Sequence, residues 1–138
     1  MPTLATSVNA TLSRNRIAEY TDDATGVTYH DVEPLLTPTV LLNHTIDWEA
    51  RRELTLSLGG RYVGRSFLAN TGDARFVTPS AYLLDAGLAW QRGRHDLAVR
   101  VMNVGSARFY ASGYTDGTSP YYFVTAPRAV FVTATVGF

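Results

Sequence analysis

Lysine is missing altogether from these 138 residues: all twelve basic side chains are arginine, and twelve acids balance them to a formal net charge of zero. Cysteine is missing too, which excludes a disulfide framework, thiolate chemistry and cysteine-based zinc sites. Charged residues make up only 17% of the chain, against about 25% in a typical soluble domain. A β-domain that shows one strand face to water normally covers it with Lys, Glu and Asp. Here those positions hold Thr, Ser, Gly, Ala and Asn, with an occasional Arg or Asp. The neutral balance steers nothing toward nucleic acid, so no such partner is expected. No run of about 18 uncharged apolar residues exists, which excludes a transmembrane helix. The nearest approach, YLLDAGLAW, is interrupted by Asp85. The opening MPTLATSVN has neither the basic start nor the apolar core of a signal peptide. The expectation is therefore a single unit, 1–138, lacking its export signal.

What the sequence does have is period-2 alternation. In the final stretch PRAVFVTATVGF, Val130, Val132, Ala134, Val136 and Phe138 fall on one face, and Phe131, Thr133, Thr135 and Gly137 on the other. A strand that runs to a terminal aromatic needs something apolar beside it, since chain ends in water usually fray. Six such strands are expected, at 3–19, 38–48, 53–68, 80–91, 95–110 and 127–138, with no segment of helical periodicity. Most are long for a globular strand, and fit the roughly 9–11 residues that cross a bilayer.

The connections alternate in length. Glu49–Arg52 and Gln91–Arg94 read as tight turns, whereas Tyr20–Thr37, Ala69–Pro79 and Ala111–Ala126 read as long polar loops. Brief turns at one end and extended loops at the other are the asymmetry of an outer-membrane barrel. The faces agree. Leu54, Leu56, Leu58, Gly60 and Tyr62 oppose Thr55, Ser57, Gly59, Arg61 and Arg65; Tyr82, Leu84, Ala86, Leu88 and Trp90 oppose Leu83, Asp85, Gly87, Ala89 and Gln91. The mid-strand charges Asp47, Arg61, Asp85 and Arg100 all sit opposite the apolar rows, as expected when an Arg facing lipid at mid-depth costs about 2–4 kcal/mol. Trp48 and Trp90 close their rows beside the short turns, and Tyr62 and Tyr82 lie toward the other end, where interfacial aromatic girdles belong. Arg14 and Arg16 are expected beyond the membrane. His44 falls on an apolar row with no partner in view. The expected class is all-β: a membrane-spanning, antiparallel up-and-down β-barrel segment of about six strands. A soluble β-barrel or sandwich that binds a hydrophobic small molecule would show the same alternation with its apolar face inward.

Candidate chemistry is sparse. His30, His44 and His95 are far apart and lack metal-ligand spacing. Asp22, Asp23, Asp31 and Glu33 gather in the first long loop without the spacing of a calcium loop, and read as a solvated acidic stretch. No serine sits in a nucleophile-elbow context. No catalytic residue, cofactor or metal is expected, and the chain does not read as an enzyme. The loop ASGYTDGTSPYYFVTAP is the exception worth a hypothesis. Tyr114, Tyr121, Tyr122 and Phe123, with Tyr110 nearby, place aromatics where they could stack on a flat organic ligand at an extracellular mouth. The plainer reading is a girdle, or a loop packed on itself. Arg61, Asp85 and Arg100 are expected to face the barrel lumen, with Arg65 beside them, pairing among themselves or with Asp47 across neighbouring strands.

Four stretches, GRYVGRSFLANTGD, PSAYLLDAGLAWQ, DLAVRVMNVGSARFYASG and APRAVFVTATVGF, in this order and spacing, resemble the C-terminal barrel segment of TonB-dependent outer-membrane receptors. They look like an outgoing strand with its loop, a return strand that opens on Pro79 and reaches Asp85, a strand that runs into Asn103 and an aromatic, and a Phe-terminated last strand. The likeness covers roughly Pro38 to Phe138. NVGSARFY departs mildly, with Val-Gly-Ser where the family often has Leu-Phe-Asp. The resemblance implies a 22-stranded barrel with an N-terminal plug, in the bacterial outer membrane, importing a ferric siderophore, cobalamin or similar scarce solute with energy from TonB. It implies as partners the membrane lipid, TonB, a siderophore-like ligand and the barrel assembly machinery, for which Phe138 resembles the recognition signal. With six strands and neither plug nor TonB box, the chain is expected to be a fragment of such a receptor.

Overall fold

The computed structural model describes residues 3–137. Among them every regular element is a strand: β1 (Thr3–Leu12), β2 (Ile17–Thr21), β3 (Thr28–Val32), β4 (Val40–Arg51), β5 (Leu54–Val63), β6 (Ser66–Phe67), β7 (Val77–Thr78), β8 (Ala81–Arg92), β9 (His95–Met102), β10 (Tyr110–Thr115), β11 (Pro120–Val124) and β12 (Ala129–Val136). The six longest form one antiparallel sheet in the order β1-β4-β5-β8-β9-β12. The other six pair off as hairpins β2–β3, β6–β7 and β10–β11. Each hairpin sits within one long connection, and all three lie at the same end of the sheet. Arg52-Glu53 and Gly93-Arg94 make the tight turns at the opposite end. Gly93 takes φ +63°, a left-handed turn that a residue with a Cβ resists.

Cross-strand register turns the period-2 pattern into continuous rows. Leu4, Trp48, Leu56, Leu88, Val99 and Val132 lie side by side across all six strands, and Thr6, Ile46, Leu58, Ala86, Val101 and Val130 form the next row. One residue along, the sheet's other face carries Ala5, Asp47, Ser57, Gly87, Arg100 and Phe131. Since a one-residue slip would exchange the two faces, this register places the mid-strand charges opposite the apolar band. Tyr62 and Tyr82 are direct partners at the loop end of that band.

The strands end sooner than alternation suggests. β1 stops at Leu12, β5 at Val63 and β9 at Met102, where 3–19, 53–68 and 95–110 were expected. Alternation continues past each end because the chain goes on into a hairpin strand, which has the same period. Arg65, expected to face the lumen, consequently lies beyond β5, with its guanidinium 4.8 Å from the centroid of the Phe67 ring. Arg14 and Arg16, expected within the strand 3–19, also fall past the end of β1. Phe138 lies outside the described residues.

No apolar side chain of the six-stranded sheet is buried. Among the described residues the buried apolar side chains are Val32, Phe67, Leu68 and Phe76, all in the long connections. Leu4, Val8, Leu12, Val130, Val132 and Val136 stay well exposed on the two outermost strands. The sheet is open, and β1 and β12 each have one unpaired edge.

His44 finds its partner two strands away. Its Nε2 is 2.6 Å from the Tyr82 hydroxyl, with the rings stacked at 6.0 Å between centroids. Gly60 lies between them on β5, in register with His44 and Leu84. A methyl group added there would overlap both the imidazole and the hydroxyl. The glycine therefore opens a channel through which two polar groups on the apolar face satisfy each other. Tyr82→Phe is expected to cost about 1 kcal/mol, because it leaves an imidazole nitrogen unpaired. Gly60→Val is expected to cost more, about 1–3 kcal/mol, by forcing both rings aside. Denaturant unfolding of each variant in lipid vesicles measures both, and equal stability of all three proteins would sink the assignment.

Candidate functional site

The polar face of the sheet lines an open trough of about 830 Å³, bordered by Asp47, Ser57, Arg61, Asp85, Arg100 and, at the loop end, Phe109. Its polar groups are held by short cross-strand bonds. The Ser57 hydroxyl donates to Asp47 Oδ1 at 2.6 Å, and Ser7 and Thr45 share a hydrogen bond of 2.8 Å. Thr3 donates to Glu49 near the turn end.

Asp85 is the most connected charge. Its Oδ1 accepts the backbone N–H of Asn103 at 2.8 Å, while Oδ2 stands 3.9 Å from Arg100 Nη2. Asn103 is buried and left-handed, with φ +50°, a conformation Asn tolerates better than most side chains. Its amide then grips the Ala107 backbone from both sides, donating to the carbonyl and accepting from the N–H, each at 2.9 Å. The carboxylate thus ends β9 and turns the chain toward the β10–β11 hairpin. Arg61 takes a different partner, the Phe109 ring, at 6.0 Å from its centroid. Of the three charges expected on this face, two pair with each other and the third holds the base of a loop.

The β10–β11 hairpin divides the four nominated aromatics. Tyr114 pairs with Tyr121 in register and stacks on it at 4.9 Å; Phe123 follows at 6.1 Å from Tyr114. These three are exposed, at 51%, 44% and 60%. Tyr122 points the other way, where it meets Tyr110 at 4.5 Å and donates its hydroxyl to the Val77 carbonyl at 3.0 Å. Three of the four therefore form a free aromatic ladder, and Tyr122 anchors it to β7.

Asp116 belongs to this site and escaped the sequence reading, although Asp116-Gly117 between two aromatic runs is a hairpin-turn signal. Its Oδ1 accepts the backbone N–H groups of Ser119 and Thr118, both at 2.8 Å, and Oδ2 accepts the Tyr121 hydroxyl at 3.0 Å. The Ser119 and Thr118 amides, and then the Tyr121 hydroxyl, hold the Asp116 carboxyl below its ordinary range. The same carboxylate, by accepting the Tyr121 proton and by its charge, raises the Tyr121 phenol.

Elsewhere the polar clusters disperse. Arg16 donates to the Asp31 carbonyl at 2.8 Å and lies 3.8 Å from Glu33. Asp22 accepts the Ala24 N–H within its own turn. Among the described residues no three His, Asp or Glu side chains gather as a metal site. Asp73 and Arg75 form a two-pronged pair, which lowers the carboxyl and raises the guanidinium.

The coupled pair at the hairpin tip has a definite pH signature. A depressed carboxyl stabilises the turn above the ordinary carboxylate pKa, and that stabilisation fades as pH falls through the lowered value. Asp116→Asn removes the charge beside Tyr121, so Tyr121 is expected to ionise at lower pH in that variant. The phenolate absorbance that disappears on Tyr121→Phe, followed through an alkaline titration in both backgrounds, reports the change. Coincident curves would refute the coupling.

No protein-family model and no curated protein matches the sequence. Solved structures do. The chain is similar to the siderophore receptor PiuA from Acinetobacter baumannii, at TM-score 0.77 and 18% identity over 96% of this chain and 19% of that one. It is also similar to the ferric-catecholate import receptor Fiu from E. coli K12 in its closed form, at TM-score 0.72 and 20% identity over 96% and 18% of the two chains. A third, the ferric yersiniabactin uptake receptor FyuA from Yersinia pestis, matches at TM-score 0.62 and 24% identity over 75% and 17%. The chain spans less than a fifth of the length of each. At these identities the likeness establishes the fold alone: an antiparallel sheet like a segment of those receptors' barrels.

Proposed function

We propose that this chain is the C-terminal part of the β-barrel of a TonB-dependent outer-membrane receptor, whose complete form imports a siderophore-like solute with energy transduced by TonB. The observation that carries the reading is the two-faced sheet. One apolar row, Leu4 to Val132, runs unbroken across six strands of 8–12 residues and a second is interrupted only at Thr6, while Asp47, Arg61, Asp85 and Arg100 lie on the opposite face, along the trough. Strands of that length with that segregation suit a bilayer on one side and a wet interior on the other. The fold shared with import receptors supports the same placement. A soluble barrel enclosing a hydrophobic molecule would need its apolar rows around the cavity, whereas here the row from Leu4 to Val132 lies on the opposite face, and the trough carries Asp47, Arg61, Asp85 and Arg100 among Leu83, Met102, Phe109 and Phe131. The role we assign is passive: to wall a pore and present loops.

In this reading the three hairpins lie outside the cell and the tight turns in the periplasm. Arg61, Asp85 and Arg100 face the lumen. Tyr114, Tyr121 and Phe123 are offered to a flat ligand, with Tyr122 behind them as support, and Phe138 presents the end of the last strand to the assembly machinery. This chain has no native cysteine, so a single cysteine placed in it reports its topology once labelling of the unsubstituted receptor is subtracted. In intact cells producing the receptor, a membrane-impermeant maleimide is expected to label Thr118→Cys, and to label Arg52→Cys only after the outer membrane is permeabilised. Labelling of both or neither before permeabilisation would overturn the placement. Tyr121→Ala in the full receptor is expected to weaken ligand binding about tenfold, on the order of 1–3 kcal/mol for a lost stacking partner. Unchanged affinity in a normally assembled receptor would confine the ladder to a structural role.

A further inference from the structure

The three hairpins at the loop end share more contacts than loops of a pore need. The first connection meets the second at three points. Asn70 Oδ1 accepts the Leu35 N–H at 2.7 Å, the Phe67 carbonyl accepts the Leu36 N–H at 2.8 Å, and Gly72 lies against Val32. Leu36 sits at φ +53°, a conformation an isolated leucine avoids, so the bond to Phe67 holds it in place. The second connection meets the third just as closely. Tyr122 donates to the Val77 carbonyl, and Gly113 is so tightly apposed to Leu68 that an added Cβ would have to displace it. Between these seams lie Val32, Phe67, Leu68 and Phe76, 4–7% exposed. The buried apolar side chains among the described residues thus come from the first and second connections, with the third apposed at Leu68, while the sheet beneath contributes none.

We infer that β2–β3, β6–β7 and β10–β11 form one fastened wall that opens and closes as a unit, and are not three separate lids. Residues that share a core and interlocked hydrogen bonds open cooperatively, whereas independent loops exchange near the rate of free peptide. The base of the wall is tied to the sheet as well. Gly64 N–H donates to the Val40 carbonyl at 2.8 Å, Asn103 grips Ala107, and Phe109 lies under Arg61. The consequence for binding is that the Tyr114–Tyr121–Phe123 ladder stands on a rigid backing. A partner that stacks there meets a prearranged surface and does not bear the cost of ordering a mobile loop. The inference rests on contacts within this chain and holds whatever solute the receptor imports.

Hydrogen exchange of the complete receptor in detergent micelles tests it, with slow amides along β5 as the internal check on folding. The amides of Leu36, Leu68 and Thr125, one in each connection and each bonded to a backbone carbonyl, are expected to exchange at least about a hundredfold more slowly than free peptide. Asn70→Ala cuts the first seam and Tyr122→Phe the second, each without disturbing a strand of the sheet. Either variant is expected to speed all three amides together, by about tenfold for one lost hydrogen bond. Acceleration confined to the connection that carries the substitution would overturn the inference. Fast exchange of the three amides in the unmodified receptor, with β5 protected, would do so too.

Discussion

Backbone hydrogen bonding between long neighbouring strands is the constraint on which everything else in this structure depends. In hydrocarbon no water is available to an amide, so each N–H and C=O must find a partner within the protein. Six antiparallel strands meet that demand in their interior, and the register that pairs the amides also decides which side chains face which way. Once Leu56 stands beside Leu88, Ser57 must stand beside Gly87 on the reverse side. The apolar band, the polar trough and the Trp and Tyr rows at its two ends are all consequences of one choice of register.

Much of this was legible in the sequence because period 2 is a strong signal when it runs for ten residues. The rows, the segregation of Asp47, Arg61, Asp85 and Arg100, and the side on which the short turns fall follow from alternation and turn chemistry alone. The outer ends of the strands were not legible. Ile17–Thr21 and Tyr110–Thr115 alternate like the strands before them, and nothing local says that the chain has left the sheet to pair with itself. Arg65 was misplaced for that reason: parity put it beside Arg61, but the strand had already ended. His44 was opaque for a different reason. Its partner Tyr82 is 38 residues away and two strands across, and becomes reachable only because a glycine lies in between. A pattern along one strand cannot reveal a contact that skips over its neighbour.

The aromatic hairpin shows how a list of similar residues separates once backbone pairing is known. Tyr121, Tyr122 and Phe123 are consecutive, so adjacent ones must point to opposite sides. Tyr121 and Phe123 join Tyr114 on the free side, and Tyr122 goes inward to bond with Val77. Asp116, at the tip, does two jobs with one carboxylate: it closes the turn through two amides and fixes the Tyr121 ring through its hydroxyl. That leaves the ladder apolar in its ring faces and polar at the Tyr114 and Tyr121 phenols, of which Tyr121 is committed to Asp116.

The location of the buried core completes the physical picture. A soluble sheet becomes stable by covering one face with its own side chains, and this sheet covers neither. In the role proposed, its apolar face relies on lipid and its two outer edges on further strands, which makes the six-stranded meander a part whose stability depends on its surroundings. The loop end is different, because it lies in water and must supply its own burial. Val32, Phe67, Leu68 and Phe76 provide it, drawn from two successive connections and covered by the third. The rim is the region where this chain can be self-sufficient, and its order is set by the ordinary hydrophobic effect, which is absent between strands in lipid. A barrel of this kind is thus held by two different solvents: hydrocarbon enforces the pairing of the wall, and water enforces the packing of the mouth.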